Sequence, residues 1–179
     1  MDKDKLKILI EGCIKNKPNA RKDLYDKYHR MLMGTCLRYA RDNSEAEDIL
    51  LDGFMQIYSK IETFSFQGSF EGWMKKIMVN TAIDYFRKNK KENFHQDIDE
   101  YPDLLSTDPD VLMQLSAKEI MGVVQTMPQG YRMVFNFFAI EGFSHKEIAE
   151  KLQITESTSK SQMRKARVWL VKKLIINNA

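Results

Sequence analysis

Ser144-His145-Lys146-Glu147-Ile148-Ala149-Glu150-Lys151-Leu152-Gln153-Ile154-Thr155 is the stretch from which the fold of this 179-residue chain can be read. Ser144 and Glu147 stand at capping-box spacing, so the serine can accept from the first-turn amides while the glutamate reaches back. They open a short helix bearing Ile148, Ala149 and Leu152. Gln153-Ile154-Thr155 then turns the chain, with Thr155 as N-cap of a long second helix. The apolar set Ile148, Ala149, Leu152, Ile154, Met163, Ala166 and Leu170 gives the two helices a common core. This is the helix-turn-helix pattern, whose second helix enters the major groove. The other side of that helix carries Ser157, Thr158, Lys160, Ser161, Gln162, Arg164 and Lys165, donors suited to phosphates and base edges, and Arg167, Lys172 and Lys173 extend the charge. A solvated basic helix in an ordinary bundle would share those charges. The capped short helix and turn in front of it tip the reading toward DNA.

Upstream, the period stays helical. Pro18, Pro102, Pro109 and Pro128 are the only prolines, so more than eighty residues pass between the first two without a strong helix breaker. Helices are expected around Lys3 to Lys15, Ala20 to Arg41, Ser44 to Ile61 and Phe70 to Lys90. In the third, Ser44-Glu45-Ala46-Glu47 reads as another capping box, and Ala46, Ile49, Leu50, Phe54, Ile57, Tyr58 and Ile61 recur at three- and four-residue steps as a core stripe. Thr63-Phe64-Ser65-Phe66-Gln67-Gly68-Ser69 is a loop whose aromatics look exposed. After a further helix from about Val111 to Thr126, Met127-Pro128-Gln129 breaks the chain, and another helix runs to about Ile140 before Glu141-Gly142 ends it. No alternating segment competes as a strand. The expected fold is all-α, with two small helical domains, residues 1–92 and 111–179, joined by an acidic linker over 93–110.

Charge supports that division. The net charge is +3, yet residues 1–92 carry 18 Lys/Arg against 14 Asp/Glu, residues 93–112 none against six, and residues 113–179 ten against five. Two basic blocks flanking an acidic tether suit a protein that meets a polyanion at two sites. With 43% hydrophobic and 30% charged residues the chain can build cores in water. No apolar run approaches the roughly 18 residues of a membrane-helix candidate, and MDKDKLKILIEG is too short in apolar character for a secretory signal, so the cytoplasm is the expected location. Cys13 and Cys36 lack C-x-x-C spacing and read as buried core thiols.

On these residues the chain resembles the sigma-70 family of RNA polymerase sigma factors, in its extracytoplasmic-function (ECF) form that holds only regions 2 and 4. In region 4 the likeness rests on Met127-Pro128, Arg132, Val134-Phe135, Glu141-Gly142-Phe143-Ser144, Glu147-Ile148-Ala149, Thr158, Lys160-Ser161, and Arg164 to Arg167 with Leu170. In region 2 it rests on Asp23-Leu24-Tyr25, Tyr28, Ala46-Glu47-Asp48-Ile49, Phe54, Gly68-Ser69-Phe70, Trp73, Asn80, Ala82-Ile83-Asp84 and Arg87-Lys88. Each fragment alone is weak; in this order and spacing they are specific.

The resemblance implies a division of labour. The helix from Ser44 to Ile61 would dock on the clamp coiled coil of core RNA polymerase through Asp48, Asp52, Gln56 and Lys60. The flap is the polymerase's other expected contact. The fourth helix and the loop before it would melt the minus-ten element and hold its opened strand. The candidates there are Phe64, Phe66, Lys75, Lys76, Asn80, Asp84, Arg87 and Lys88, since unstacked bases bind aromatic faces while lysines track the backbone. Phe70 and Trp73 align with Met74, Ile77 and Met78 and read as core. The basic helix near the C-terminus would read the minus-35 element. An anti-sigma factor, often membrane-anchored, is the further partner implied; no cofactor, metal or small-molecule substrate is.

The chain departs from the family pattern at Leu51-Asp52, where Gln-Glu is usual, at Ser159, where an apolar residue is usual, and at Gln162, where Arg is usual. The acidic tether extends to about 60 Å at about 3.3 Å per residue, enough to bridge two promoter elements, and its charge would let it thread polymerase channels built for RNA.

Rival classes leave other marks. The histidines at 29, 95 and 145 are scattered, and neither a phosphate-binding glycine loop nor a nucleophile elbow is present, so an enzyme is not expected. A stand-alone repressor or activator would share the C-terminal motif without needing the Phe-rich loop followed by Lys75, Lys76 and Asn80. A purely protein-binding adaptor would not need Arg164 and Lys165.

Overall fold

The computed structural model describes residues 3–88 and 117–177, and every regular element in them is helical. The chain divides into two compact units, Met1–Tyr85 and Phe86–Ala179.

In the first unit α1 (Lys3–Ile14), α2 (Pro18–Tyr39) and α3 (Asn43–Lys60) follow one another, and a single 3₁₀ turn (Ile61–Thr63) leads to a loop and then to α4 (Phe70–Lys88). Pro18 starts α2 because the first helical position needs no N–H and its fixed φ already suits a helix. Along α2, Leu24, Tyr28, Leu32, Thr35, Cys36 and Tyr39 recur at three- and four-residue steps and are buried, so this helix packs along both α1 and α3. The stripe expected in α3 is buried at Ala46, Ile49, Leu50, Phe54, Ile57 and Ile61, and Tyr58 is half-buried. Its hydroxyl donates to the Arg21 carbonyl at 2.9 Å, while the Arg21 guanidinium lies over its ring, 5.0 Å from the centroid.

The start of α3 differs from the sequence reading. Asp42, not Ser44, is the N-cap: its side chain accepts from the Glu45 N–H at 2.9 Å. Glu45 in turn accepts from the Arg41 backbone N–H at 2.8 Å and from Arg41 Nε at 2.9 Å. Capping-box spacing occurs at both registers, and the earlier one prevails because it adds a charge-assisted Arg41–Glu45 pair whose carboxylate is almost wholly buried.

Helix α4 closes this core through sulfur. Met78 lies 3.9 Å from Cys36 Sγ, and a Cβ added to Gly53 would stand 2.1 Å from Met78 Sδ. A side chain at position 53 would therefore force the thioether end of the buried Met78 to shift. Both cysteines are buried, as expected.

The second unit contains α5 (Ala117–Gln125), α6 (Gln129–Phe135), a π turn (Asn136–Ile140), α7 (His145–Leu152) and α8 (Glu156–Asn177). Helix α8 is the common partner of α5, α6 and α7. Val123, Val124, Met127, Tyr131, Ala166 and Leu170 form its core, with Phe135 and Trp169 against them. Pro128 stands at the N-cap of α6, at the break expected there. The π turn is a local widening: the Glu141 N–H reaches back five residues to the Asn136 carbonyl at 3.0 Å. Gly142, at φ 77°, then reverses the chain in a conformation L side chains rarely adopt. The expected linker 93–110, and the first residues of the helix expected from Val111, lie outside the described residues.

Gly53→Ala is expected to lower the unfolding free energy by about 1–3 kcal/mol, the usual cost of overpacking. Urea denaturation should show a shifted midpoint with an unchanged slope.

Candidate nucleic-acid interface

The helix-turn-helix is built as its sequence reads. The Glu147 N–H donates to Ser144 Oγ at 3.3 Å, and Glu147 Oε2 accepts from both the Ser144 backbone N–H and hydroxyl at 2.8 Å. These bonds hold the Glu147 carboxyl below its ordinary range. Gln153 ends α7 in the left-handed region, at φ 54° and ψ 48°. Thr155 caps α8 by accepting the Thr158 N–H at 3.0 Å. Of the core set, Ile148, Leu152, Met163, Ala166 and Leu170 are buried, while Ala149 and Ile154 are half-buried.

Turning α8 on this core sorts the candidate readers. Ser157, Lys160, Ser161 and Arg164 are exposed, and their three- and four-residue spacing puts them on one stripe. Arg167 continues it, and Lys160 pairs with Glu156 at 2.7 Å in the first turn. Thr158 is half-buried with its hydroxyl 2.8 Å from Thr155 Oγ1, and Ser161 Oγ donates to the Thr158 carbonyl at 2.9 Å. Lys165 is half-buried, its ammonium over the Tyr131 ring at 5.6 Å. Gln162 turns inward: a Cβ at Gly130 would meet its Oε1 at 3.2 Å. The inward position comes from helical phase, one residue before the buried Met163.

Ser159 is 0% exposed and lies 2.9 Å from Nδ1 of His145, whose ring stacks on Phe138 with centroids 4.6 Å apart. Residue spacing does not announce this pairing; its one mark is a serine where the family pattern has an apolar residue.

Lys76, Asn80, Asp84 and Lys88 stand at four-residue steps along α4 and are exposed, with Lys75 beside them; Arg87 is half-buried. The loop aromatics divide. Phe64 is 6% exposed, so the expectation that both are exposed is corrected: its ring packs 5.0 Å from Phe70 and 5.7 Å from Trp73 by centroids. Phe70 is buried as expected, stacked on a half-buried Trp73. Phe66 is 50% exposed at φ 58°, held out over Phe64 with centroids 5.1 Å apart. A bulky residue in that backbone region is held by its surroundings at some cost in strain. On α3, Asp48, Asp52, Gln56 and Lys60 are all exposed at four-residue steps. Leu51 and Met55, 57% and 68% exposed, add an apolar strip the sequence reading did not include.

Comparison with known proteins places this architecture. The Sigma-70 region 2 model matches residues 24–92 and the Sigma-70, region 4 model residues 117–170. RNA polymerase sigma factor SigZ of Bacillus subtilis is 27% identical over 145 residues, covering 81% of each chain. ECF RNA polymerase sigma factor SigW of the same organism is 29% identical over 182 residues, covering 94% of this chain and 96% of the relative. The solved structure of CnrH in complex with the cytosolic domain of CnrY is 18% identical, with a TM-score of 0.46 over 94% of this chain and 96% of that one. Two helical units, the second a helix-turn-helix, thus define a promoter-directed subunit of RNA polymerase. The chain belongs to the sigma-70 family, as a sigma factor of the ECF type that directs promoter-specific transcription initiation.

Ser144→Ala is expected to lower stability by about 1 kcal/mol at neutral pH, as loss of an N-cap does. Because the folded state depresses the Glu147 carboxyl, the share owed to its bonds with Ser144 is fully present above the ordinary glutamate range and lost as pH falls through the depressed value, so the gap between the two thermal midpoints should narrow in acid. Phe64→Ala should cost about 3–5 kcal/mol as a core truncation, whereas Phe66→Ala should stay within about 0.5 kcal/mol, as surface changes do; urea titration separates them.

Proposed function

We propose that the first unit, with bounds near 1–92, docks on the polymerase clamp and melts the minus-ten element, and that the second, near 111–179, reads the minus-35 element and meets the flap. The observation that carries this reading is the pair of exposed polar stripes on α4 and α8, each backed by a buried core.

On α8, Lys160 and Arg164 supply charge to phosphates while Ser157 and Ser161 offer neutral donors and acceptors to base edges. Thr158 supports this face through Thr155 rather than standing free of it. Lys165 adds positive charge from the flank, and Gln162 fixes the helix from behind. On α4, Lys75, Lys76 and Lys88 track the opened strand, and Asn80 and Asp84 offer polar contacts, with Arg87 at the end of the helix. Phe66 is the stacking surface, and Phe64 is the floor that holds it out. Base stacking on an aromatic side chain is worth about 1–3 kcal/mol per base.

On α3, Asp48, Asp52, Gln56 and Lys60 meet the clamp, with Leu51 and Met55 supplying the apolar area that a charged rim alone lacks. The acidic linker 93–110 spans the two promoter elements. An anti-sigma factor covering these same faces is the regulatory partner we infer from the family. Phosphodiester synthesis belongs to the polymerase, and this chain contributes no catalytic group. No helix among the described residues is long and apolar enough to cross a membrane, in keeping with the cytoplasmic location proposed.

Run-off transcription with core polymerase and the purified chain tests the reading. Wild type should give a discrete start site. Arg164→Ala with Lys165→Ala should abolish most promoter use and flatten the salt dependence of binding by about one unit of slope per lost phosphate contact. Phe66→Ala should preserve closed-complex affinity but reduce strand opening about fivefold or more, read by permanganate reactivity at the minus-ten element. Tight duplex binding without polymerase and no transcript would identify a repressor or activator instead.

A further inference from the structure

The hydrogen bond between His145 Nδ1 and Ser159 Oγ, 2.9 Å long, bears on which ring nitrogen carries the proton. Ser159 is completely buried, and among the described residues its hydroxyl has one partner, His145 Nδ1 at 2.9 Å. Were Nδ1 the donor, the hydroxyl proton would be left in the core without an acceptor, at the cost of an unsatisfied buried polar group. The arrangement that satisfies both groups has Ser159 Oγ–H donating to Nδ1. The neutral ring then carries its proton on Nε2.

The ring's position is fixed as well as its tautomer. Phe138 stacks on it nearly parallel, at an interplanar angle of 18°. His145 keeps part of its surface exposed; among the described residues Nε2 makes no hydrogen bond, and the exposed Glu156 carboxylate lies within electrostatic reach of the ring. It is the first residue of α7, and Ser159, the fourth residue of α8, ties it to the N-terminal turn of that helix. In a helix-turn-helix that turn enters the major groove while the first helix crosses the sugar-phosphate backbone. An oriented N–H donor at that crossing suits a backbone phosphate oxygen.

We propose that His145 is a DNA-binding residue that donates Nε2–H to a backbone phosphate beside the minus-35 element, and that Ser159 is its positioning residue, selecting the tautomer that can donate. The inference rests on the reading of α8 as the duplex-binding helix. It gives the serine at position 159 a role that an apolar residue could not fill: an aliphatic side chain there would leave Nδ1 without its donor, and the ring would no longer be confined to one tautomer. The contact carries no base information, so it contributes equally to every sequence.

Asparagine and glutamine separate this role from a structural one, because an asparagine amide reaches the Nδ1 position and a glutamine amide the Nε2 position. The affinity of reconstituted holoenzyme should be measured on a promoter fragment mapped by run-off transcription and on the same fragment with its minus-35 element scrambled. His145→Asn keeps an acceptor for Ser159 but loses the outer donor. It should weaken binding about tenfold on both fragments, the value of one hydrogen bond to a charged group. His145→Gln should stay within about twofold of wild type, and Ser159→Ala should lose about threefold and add little to His145→Asn, as groups sharing one contact do. Thermal midpoints check folding, and if Ser159→Ala unfolds, the Asn/Gln pair carries the test by itself. The proposal is overturned if His145→Asn binds like wild type, if His145→Gln loses as much as His145→Asn, or if the loss is confined to the intact element. If instead Arg164→Ala with Lys165→Ala leaves affinity unchanged, the reading of α8 fails, which is a separate outcome.

Discussion

Helix α8 has to build a core and present an exposed polar stripe at once, and the rest of the second unit follows from that constraint. At 3.6 residues per turn, Ser159, Met163, Ala166 and Leu170 fall on one side and Ser157, Lys160, Ser161 and Arg164 on another. Burying each large apolar side chain stabilises the unit by about 1.5–3 kcal/mol. The same burial fixes the rotation of the helix, and so the direction in which its exposed stripe points. Helices α5, α6 and α7 all pack on α8, so the stripe is held by the whole unit rather than by the turn alone. A single serine sits among those apolar contacts and is satisfied by His145, which couples the first helix of the motif to the second.

The first unit solves a related problem with different chemistry. Helices α3 and α4 each give one face to the core and leave a four-step polar stripe outside. They meet through Gly53 and Met78, where the absence of a Cβ lets a flexible thioether fill the gap and reach Cys36. The aromatic cluster of Phe64, Phe70 and Trp73 extends this core under the loop. Phe66 can therefore stand exposed without loosening the loop that carries it.

Much of this was legible because helical periodicity and capping boxes are local signals. The α3 stripe from Ala46 to Ile61, the break at Pro128, the box at Ser144 and the cap at Thr155 all depend on residues within one or two turns. The rest depends on contacts that spacing does not reveal. The cap of α3 moved to Asp42 because Arg41 could pair with Glu45 there, a competition between two registers of the same motif. Phe64 and Phe66 lie two apart in an irregular loop, where no period says which ring turns inward. Gln162 borders the core face of α8, and only the small neighbour at Gly130 makes room for it. The His145–Ser159 bond joins residues fourteen apart, and it takes the folded motif to bring them together.

The buried sulfurs carry a consequence for reactivity. Cys13 and Cys36 are the chain's only cysteines, and both lie in the core of the first unit. Burial pushes the Cys36 thiol up to about 12 and raises that of Cys13 as well. Oxidants and electrophiles attack the thiolate, the form that burial of both cysteines disfavours in the folded chain. The folded core thus disfavours the reactive form of both thiols.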